Sequence, residues 1–148
     1  KIALVSILTA LSVALGYVVK IPTATGILTF LDAGIFFTAF YFGRREGAIV
    51  GGIGGFLIDL ISGYPHWMIF SLIFHGSQGY FAGFKGKWQW LGLVLASLVM
   101  VAGYAFATAW MKGWGQALAD VPHNLVQNFV GMLVGFLLCQ SITKIRKQ

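Results

Sequence analysis

The sequence predicts an all-α fold, an integral membrane bundle of six transmembrane helices that residues 1–148 form as one domain. Hydrophobic residues make up 58% of the chain and charged residues only 9%, whereas roughly a quarter of the residues of an ordinary soluble domain are charged. Most charges stand between long apolar runs, several of which approach the roughly 20 residues that a spanning helix needs. A soluble protein of this size could not cover its surface with so few charged residues.

Charged residues and Pro or Gly breaks divide the chain into six apolar runs. The predicted helices cover residues 2–19, 31–42, 48–63, 67–84, 88–111 and 121–143. The second and third runs are the shortest, although the second can be extended by starting near Ile27, and the third contains Asp59. The first run lacks a small-residue cleavage site followed by a soluble domain, so we expect it to be retained as a helix.

The distribution of charge orients these helices, because basic residues collect in cytoplasmic loops. With both termini on one side, eight of the ten Lys and Arg residues lie there, and only Lys20 and Lys112 lie opposite. Three of the four acids, Asp32, Asp59 and Asp120, fall on the other side. We therefore expect both termini of this multi-pass membrane protein to be cytoplasmic. The net charge of +6 is spread over small groups and does not indicate a nucleic-acid partner.

The connections between helices differ on the two sides of the predicted bundle. The inner connections at 44–46 and 85–87 are too short to hold a catalytic domain. The outer connections at 20–30, 62–66 and 112–120 are rich in polar and aromatic residues. We expect these three outer loops to roof a pocket.

The outer acids have a simple structural interpretation. Asp120 is followed by Val121 and Pro122, which predicts a helix start with Asp120 as its N-cap. Asp32 and Asp59 lie near outer helix ends, where capping or pairing with Lys20 would explain them. Whether these two acids contact a substrate stays open at this point.

Small residues recur at four-residue spacing on three predicted helices, at Gly47, Gly51 and Gly55, at Gly79 and Gly83, and at Gly131 and Gly135. In a membrane this spacing lets helix backbones approach closely, which favours packing inside the bundle. The first helix carries a different stripe, Ser6, Ala10 and Ala14. That stripe is either buried internally or binds a partner membrane protein.

Two predicted helices carry polar stripes, which are costly at membrane depth and usually face a cavity or one another. Ser71, His75 and Gln78 share one face, as do Asn124, Gln127 and Asn128. Such groups can bind a heteroaromatic ring with hydroxyls while nearby aromatic residues stack on it. The alternative is that the stripes bind each other and hold helices together. With one residue of the first outer loop, the candidate substrate-binding residues are Thr23, Trp67, Ser71, His75, Gln78, Asn124, Gln127 and Asn128.

Motifs for catalysis and for metal binding are not present in the sequence. The spacing of His66, His75 and His123 matches no zinc motif. The chain also has no nucleophile elbow, no phosphate-binding loop and no dinucleotide fingerprint. We expect neither enzymatic activity nor a metal, so that uphill transport would need a separate subunit to hydrolyse nucleotide.

Taken in order, several segments resemble the S components of energy-coupling factor (ECF) vitamin transporters. They are Ala10-Leu11-Ser12-Val13-Ala14, Ile21-Pro22-Thr23, Leu31-Asp32-Ala33-Gly34, Phe42-Gly43-Arg44-Arg45-Glu46-Gly47-Ala48, Asp59-Leu60-Ile61-Ser62-Gly63-Tyr64 and Val121-Pro122-His123-Asn124-Leu125-Val126-Gln127. The resemblance covers nearly the whole chain. It is closest to the branch with riboflavin-type and hydroxymethylpyrimidine- or pyridoxine-type members.

This resemblance implies a six-helix protein of the prokaryotic plasma membrane that binds one vitamin from outside and has no cofactor of its own. Two cytoplasmic ATPase subunits would use ATP, and a transmembrane coupling subunit would complete the transporter, in which the S component topples to deliver its cargo. Ala10 and Ala14 match the family motif that contacts the coupling subunit. The family places its substrate under the first outer loop, among the outer halves of the fourth to sixth helices.

The resemblance also bears on the substrate. Many relatives of this branch have a lysine where this chain has His75 before Gly76, and an imidazole suits a pyrimidine or pyridine alcohol better than an anion. Hydroxymethylpyrimidine or pyridoxine is therefore the favoured substrate, followed by riboflavin, thiamine and pantothenate. The alternative function is a structural or assembly subunit of the membrane that transports nothing.

Overall fold

The computed structural model describes residues 1–146, which contain six α-helices and a small antiparallel sheet. The helices are α1 (Ile2–Val18), α2 (Leu31–Phe42), α3 (Arg44–Ser62), α4 (Met68–Ala82), α5 (Gln89–Lys112) and α6 (Trp114–Ile145). The strands are β1 (Lys20–Pro22) and β2 (Ile27–Thr29). The all-α prediction with six helices is confirmed. Lys147, one of the eight basic residues used to orient the helices, lies outside the described residues.

The shortest helix, α2, is the innermost one. It packs against α1, α3, α4 and α6, and seven of its residues are buried, among them the fully enclosed Phe36. Its twelve residues correspond to a length of about 18 Å, well short of the roughly 30 Å hydrocarbon core. Because neighbouring helices enclose α2, its short length is compatible with a membrane bundle.

Two segments are long and apolar enough to cross a membrane, namely α6 and Gly86–Lys112, which joins a short 3-10 turn to α5. The helices α1 and α2 are also apolar but shorter. Large apolar side chains such as Leu11, Trp90 and Phe129 are exposed on the outer surfaces of the helices. Lipid solvates such a surface, whereas water does not.

Glycines let α3 and α4 pack with their backbones almost in contact. A Cβ atom at Gly51 would overlap the carbonyl oxygen of His75, and one at Gly47 would lie 2.6 Å from the carbonyl oxygen of Gly79. Between α2 and α6, a Cβ atom at Gly135 would lie 2.7 Å from that of Phe36. The prediction that these glycines serve internal packing is confirmed.

The predicted start of the sixth helix at residue 121 is wrong. Helix α6 begins at Trp114, and Asp120 lies inside it rather than at its N-cap. The chain turns at Gly113, whose φ of 93° is accessible to glycine and strained for other residues. Pro122 lies within the helix and removes one backbone hydrogen bond. Residues 112–120 are therefore mostly helix and not the predicted loop.

The first outer connection is a β-hairpin rather than an irregular loop. Lys20 pairs with Thr29 and Pro22 with Ile27. The turn between the strands is closed by two hydrogen bonds, in which the Thr23 amide donates to the Gly26 carbonyl oxygen and the Gly26 amide donates to the Thr23 hydroxyl. This hairpin covers the end of the bundle where the polar residues meet.

Candidate functional site

A cavity of about 50 Å³ lies beneath the hairpin. Its walls come from the C-terminal parts of α3 and α5 and the N-terminal parts of α4 and α6. Six of the eight candidate substrate-binding residues line it, namely Thr23, Trp67, Ser71, His75, Asn124 and Gln127. The other two, Gln78 and Asn128, do not line the cavity and belong to a buried network beside it.

The cavity also has lining residues that were not among the candidates. Asp59 on α3, Tyr104 and Thr108 on α5, and Asp120 and His123 on α6 all line it. For some of these residues, helical spacing in the sequence indicates a shared face. Tyr104 and Thr108 stand four positions apart and therefore share a face, and Asp59 lies on the face of α3 that carries the glycine stripe.

The carboxylate of Asp32 is the centre of the buried network. It is fully buried, and it accepts hydrogen bonds from the side-chain amides of Gln78 at 2.9 Å and Gln127 at 3.1 Å. Nδ1 of His75 lies 3.4 Å from the same carboxylate. Asp32 thus ties together α2, α4 and α6, because each of its three partners comes from α4 or α6.

The interpretation of Asp32 as a partner of Lys20 is wrong. The ammonium of Lys20 instead lies 3.4 Å from the Ser62 hydroxyl and 3.6 Å from the centre of the Tyr17 ring. Asp32 does stand in the first turn of α2, but its carboxylate is bonded to side chains of other helices. The N-cap of α2 is Phe30, which makes no side-chain cap hydrogen bond.

The surroundings of His75 determine which ring nitrogen carries a proton. Nδ1 faces two acceptors, the Asp32 carboxylate at 3.4 Å and the side-chain oxygen of Gln78 at 3.1 Å. A nitrogen between two acceptors must be the protonated one. The other ring nitrogen, Nε2, remains for a ligand and presents a lone pair when the imidazole is neutral.

The network continues from Gln78 on α4 through α6 to α5. Nε2 of Gln78 also donates to the Asn128 oxygen at 3.0 Å, and the Asn128 amide donates to the Ser97 hydroxyl at 2.8 Å. Gln78 and Asn128 therefore follow the alternative interpretation of the polar stripes, in which residues of the two stripes hydrogen-bond to each other and hold the helices together. Through the Gln78 oxygen, which faces Nδ1 of His75, this pair fixes the His75 ring at the cavity wall.

An aromatic wall closes one side of the cavity. The ring of Tyr104 lies 5.5 Å from Trp67 and 5.9 Å from His75, measured between ring centres. Its hydroxyl is 2.5 Å from that of Ser71. The wall combines stacking surface with hydroxyl groups, as a site for a polar aromatic ligand requires.

The hairpin is fixed over the cavity by hydrogen bonds of Thr25 and Thr29 to α6 and to Trp67. The hydroxyl of Thr25 donates to the Asp120 carboxylate, which also accepts from the Gln116 amide at 3.4 Å. The Trp67 indole donates to the Thr25 carbonyl oxygen at 2.7 Å, and the Thr29 amide donates to the Gln127 side chain at 2.8 Å. Asp120 thus holds the hairpin, a role that the predicted N-cap did not include.

Comparison with known proteins places the chain in a family. A family model described as the S component of the ECF-type riboflavin transporter matches residues 1–144. The chain belongs to this S-component family. S components are membrane proteins that bind vitamins and work with a transmembrane coupling subunit and ATPases, so this is a transport protein and not an enzyme.

The chain is also similar to individual proteins and to a solved structure. This S component is 44% identical over 147 residues to the thiamine precursor transporter HmpT of Lactococcus lactis subsp. cremoris (strain MG1363), covering 97% of the chain and 88% of the relative. It is 37% identical over 123 residues to an uncharacterized protein of Pyrococcus woesei, covering 79% of the chain and 82% of that protein. A solved structure of the S component of a bacterial ECF transporter shares its fold, with a TM-score of 0.75, 22% identity and coverage of 97% and 95%.

The small-residue stripe of α1 lies on the outer surface of this S component. Ser6, Ala10 and Ala14 are all exposed, whereas the residues of α1 that are buried in the bundle are Thr9, Ser12, Val13 and Gly16. The stripe therefore does not pack inside the bundle. It leaves a flat strip with small side chains along the helix.

No group of three or more side chains able to hold a metal ion occurs within residues 1–146. His75 and Asp32 form a pair, and the amides of Gln78 and Gln127 already occupy the carboxylate of that pair. The expectation that the protein has no cofactor of its own remains a prediction.

Proposed function

We propose that this S component binds hydroxymethylpyrimidine, a thiamine precursor, from outside the cell for ATP-driven uptake. The observation that carries the proposal is the 44% identity to the thiamine precursor transporter HmpT, which extends over 97% of the chain. The polar groups and aromatic wall around the cavity support it, since a pyrimidine with amino and hydroxyl groups needs both stacking and hydrogen bonds.

The size of the cavity favours a small ligand over riboflavin. A water molecule needs at least about 10–15 Å³ of such volume, so about 50 Å³ corresponds to a few waters. Sites for drug-sized ligands have volumes of about 300–1,000 Å³. A single substituted ring matches this cavity better than the three fused rings and polyol chain of riboflavin.

The candidate residues have distinct proposed roles. Thr23, Trp67, Ser71, His75, Asn124 and Gln127 contact the ligand, because they line the cavity. Gln78 and Asn128 act through hydrogen bonds that position these residues. Trp67 and the hairpin close the site above the ligand.

The proposal includes a topology and a set of partners. Six helices span the plasma membrane as one domain with both termini in the cytoplasm, which places the cavity near the outer surface. The exposed stripe of Ser6, Ala10 and Ala14 binds the transmembrane coupling subunit. Two cytoplasmic ATPase subunits supply the energy, since the chain carries no nucleotide-binding motif.

Calorimetry with the purified protein tests the proposed substrate. The panel contains hydroxymethylpyrimidine, pyridoxine, riboflavin, thiamine and pantothenate. We expect hydroxymethylpyrimidine to bind most tightly, with a Kd below about 1 µM, or about 8 kcal/mol of binding free energy. Tighter binding of any other member, or no binding of hydroxymethylpyrimidine in this range, contradicts the proposal.

A further inference from the structure

Asp59 carries a buried carboxylate oxygen that has no hydrogen-bond partner among residues 1–146. The residue is only 6% exposed, its Oδ2 atom makes no hydrogen bond within this range, and it lines the cavity. Burying a carboxylate oxygen without a hydrogen-bond partner is unfavourable in a protein interior and more so in a membrane. This oxygen therefore needs an explanation that the packing of the helices does not give.

The structural explanations suggested by the sequence do not apply to Asp59. Lys20 contacts Ser62 and the Tyr17 ring rather than the Asp59 carboxylate. Asp59 does help to end α3, but through its backbone, because its carbonyl oxygen accepts the amide of Tyr64 at 2.8 Å. Neither interaction involves Oδ2 of the side chain.

His75, which lines the same cavity as Asp59, is already engaged elsewhere. Nδ1 of His75 faces the Asp32 carboxylate and the Gln78 oxygen. The protonated nitrogen of His75 therefore bonds to the network beneath the cavity and does not donate a hydrogen bond to Asp59.

The glycine stripe of α3 fixes the position of the Asp59 side chain. Gly55 lies one turn before Asp59, and a Cβ atom there would come within 2.7 Å of the Ser71 carbonyl oxygen and 2.9 Å of the His75 ring. This close approach places Asp59, at the next position on the same face, beside the part of α4 that lines the cavity. The carboxylate is held at the cavity wall by two tightly packed backbones.

We propose that Asp59 recognises the amino group of the ligand, which makes the preferred ligand an aminopyrimidine. This inference rests on the proposed function and names the group that the site selects. An exocyclic amino N–H donates to the free carboxylate oxygen in a charge-assisted hydrogen bond, which is stronger than one between neutral groups. A ring without a donor at that position leaves this oxygen unpaired and is rejected for that reason.

The test compares two ligands and two proteins by calorimetry. The ligands are hydroxymethylpyrimidine and its deamino analogue, which keeps the ring, the methyl group and the hydroxymethyl group. We expect the natural chain to prefer the amino compound by about tenfold to a hundredfold. In Asp59→Asn this preference falls several-fold, because the neutral amide oxygen that remains is a weaker acceptor than the carboxylate. Only the affinity for the amino compound decreases.

A matched control separates this effect from a general loss of charge. Glu46 lies on the same helix, in its first turn and away from the cavity. The variant Glu46→Gln makes the same change from carboxylate to amide, and we expect it to keep the full preference for the amino compound.

Thermal unfolding without ligand provides a second measurement. Because Oδ2 of the carboxylate has no partner within residues 1–146, Asp59→Asn is expected to melt at the same or a higher temperature than the natural chain. If Asp59 instead had a structural role, this variant would melt lower. Asp59→Ser serves the same two measurements should the amide fail to give folded protein.

The possible outcomes distinguish the inference from the proposed function. Equal weakening of both ligands in Asp59→Asn, or a preference that keeps its full size after the substitution, overturns the role of Asp59 and leaves the proposed substrate in place. Failure of the natural chain to bind hydroxymethylpyrimidine overturns the proposed function and this inference together.

Discussion

At the residue scale, Asp32 matters because three donors converge on its two oxygens. The amides of Gln78 and Gln127 and the imidazole of His75 all point their N–H groups toward it. A carboxylate accepts from all of them, whereas an asparagine offers one acceptor and adds two donors. The identity of this side chain therefore sets the orientation of residues on both walls of the cavity.

The variant Asp32→Asn is expected to destabilise the protein and to weaken ligand binding. One of the three N–H groups would face the new NH₂ group, and the free energy of unfolding should fall by about 1–3 kcal/mol. Thermal unfolding in detergent measures this loss, and calorimetry measures the affinity. An unchanged melting temperature would show that the network does not depend on the negative charge of Asp32.

At the element scale, the contact between α3 and α4 positions the site. A Cβ atom at Gly51 would overlap the carbonyl oxygen of His75, which is backbone and cannot rotate away. The variant Gly51→Ala must push the helices apart and is expected to lower the free energy of unfolding by about 1–3 kcal/mol. Affinity for the ligand should fall as well, because His75 moves with its backbone.

Gly115 provides the matched control for this prediction. It lies in α6, where an added Cβ atom would have no neighbouring atom within 4 Å, and alanine is the better helix former. We expect Gly115→Ala to be neutral or slightly stabilising. If both variants behaved alike in thermal unfolding, the tight approach of α3 and α4 would not be a determinant of stability.

The hairpin formed by β1 and β2 is the element that covers the ligand. The variant Thr25→Val keeps the shape of the side chain but removes the hydroxyl that donates to Asp120. We expect the ligand to dissociate about threefold to tenfold faster, since the effects of lost contacts fall mainly on the dissociation rate. Stopped-flow measurement of tryptophan fluorescence follows this rate. Thr143→Val, an exposed site on α6, should leave it unchanged.

The sequence predicted the elements better than the contacts between them. Apolar runs and glycine breaks located all six helices. The pattern of Asp120 and Pro122 is typical of a helix start, however, so the start of α6 was predicted there and not at the turn formed by Gly113. The bonds from Asp32 to Gln78 and Gln127 join residues 46 and 95 positions apart. Helical periodicity reports which residues share a face, and it carries no information about which faces meet.

At the scale of the whole molecule, the proposed topology places opposite ends of the bundle on opposite sides of the membrane. In a Cys139→Ser background, Lys87→Cys lies on the proposed inner side and Gly115→Cys on the outer side. We expect a membrane-impermeant thiol reagent to label Gly115→Cys in intact cells and Lys87→Cys only after permeabilisation. The reverse labelling would contradict cytoplasmic termini.

The whole S component is expected to bind its coupling subunit through the stripe on α1. Ala10 lies at the middle of the exposed stripe on α1 and is remote from the cavity, so Ala10→Trp should abolish association while ligand affinity stays the same. Leu15 is also exposed but lies about 140° around the helix from Ala10, which makes Leu15→Trp the matched control. Co-purification with the coupling subunit measures association. Equal effects of both variants would mean that a large side chain anywhere on α1 blocks assembly. A selective effect of Ala10→Trp assigns the interface to the stripe, because only there do small side chains let two helices approach closely.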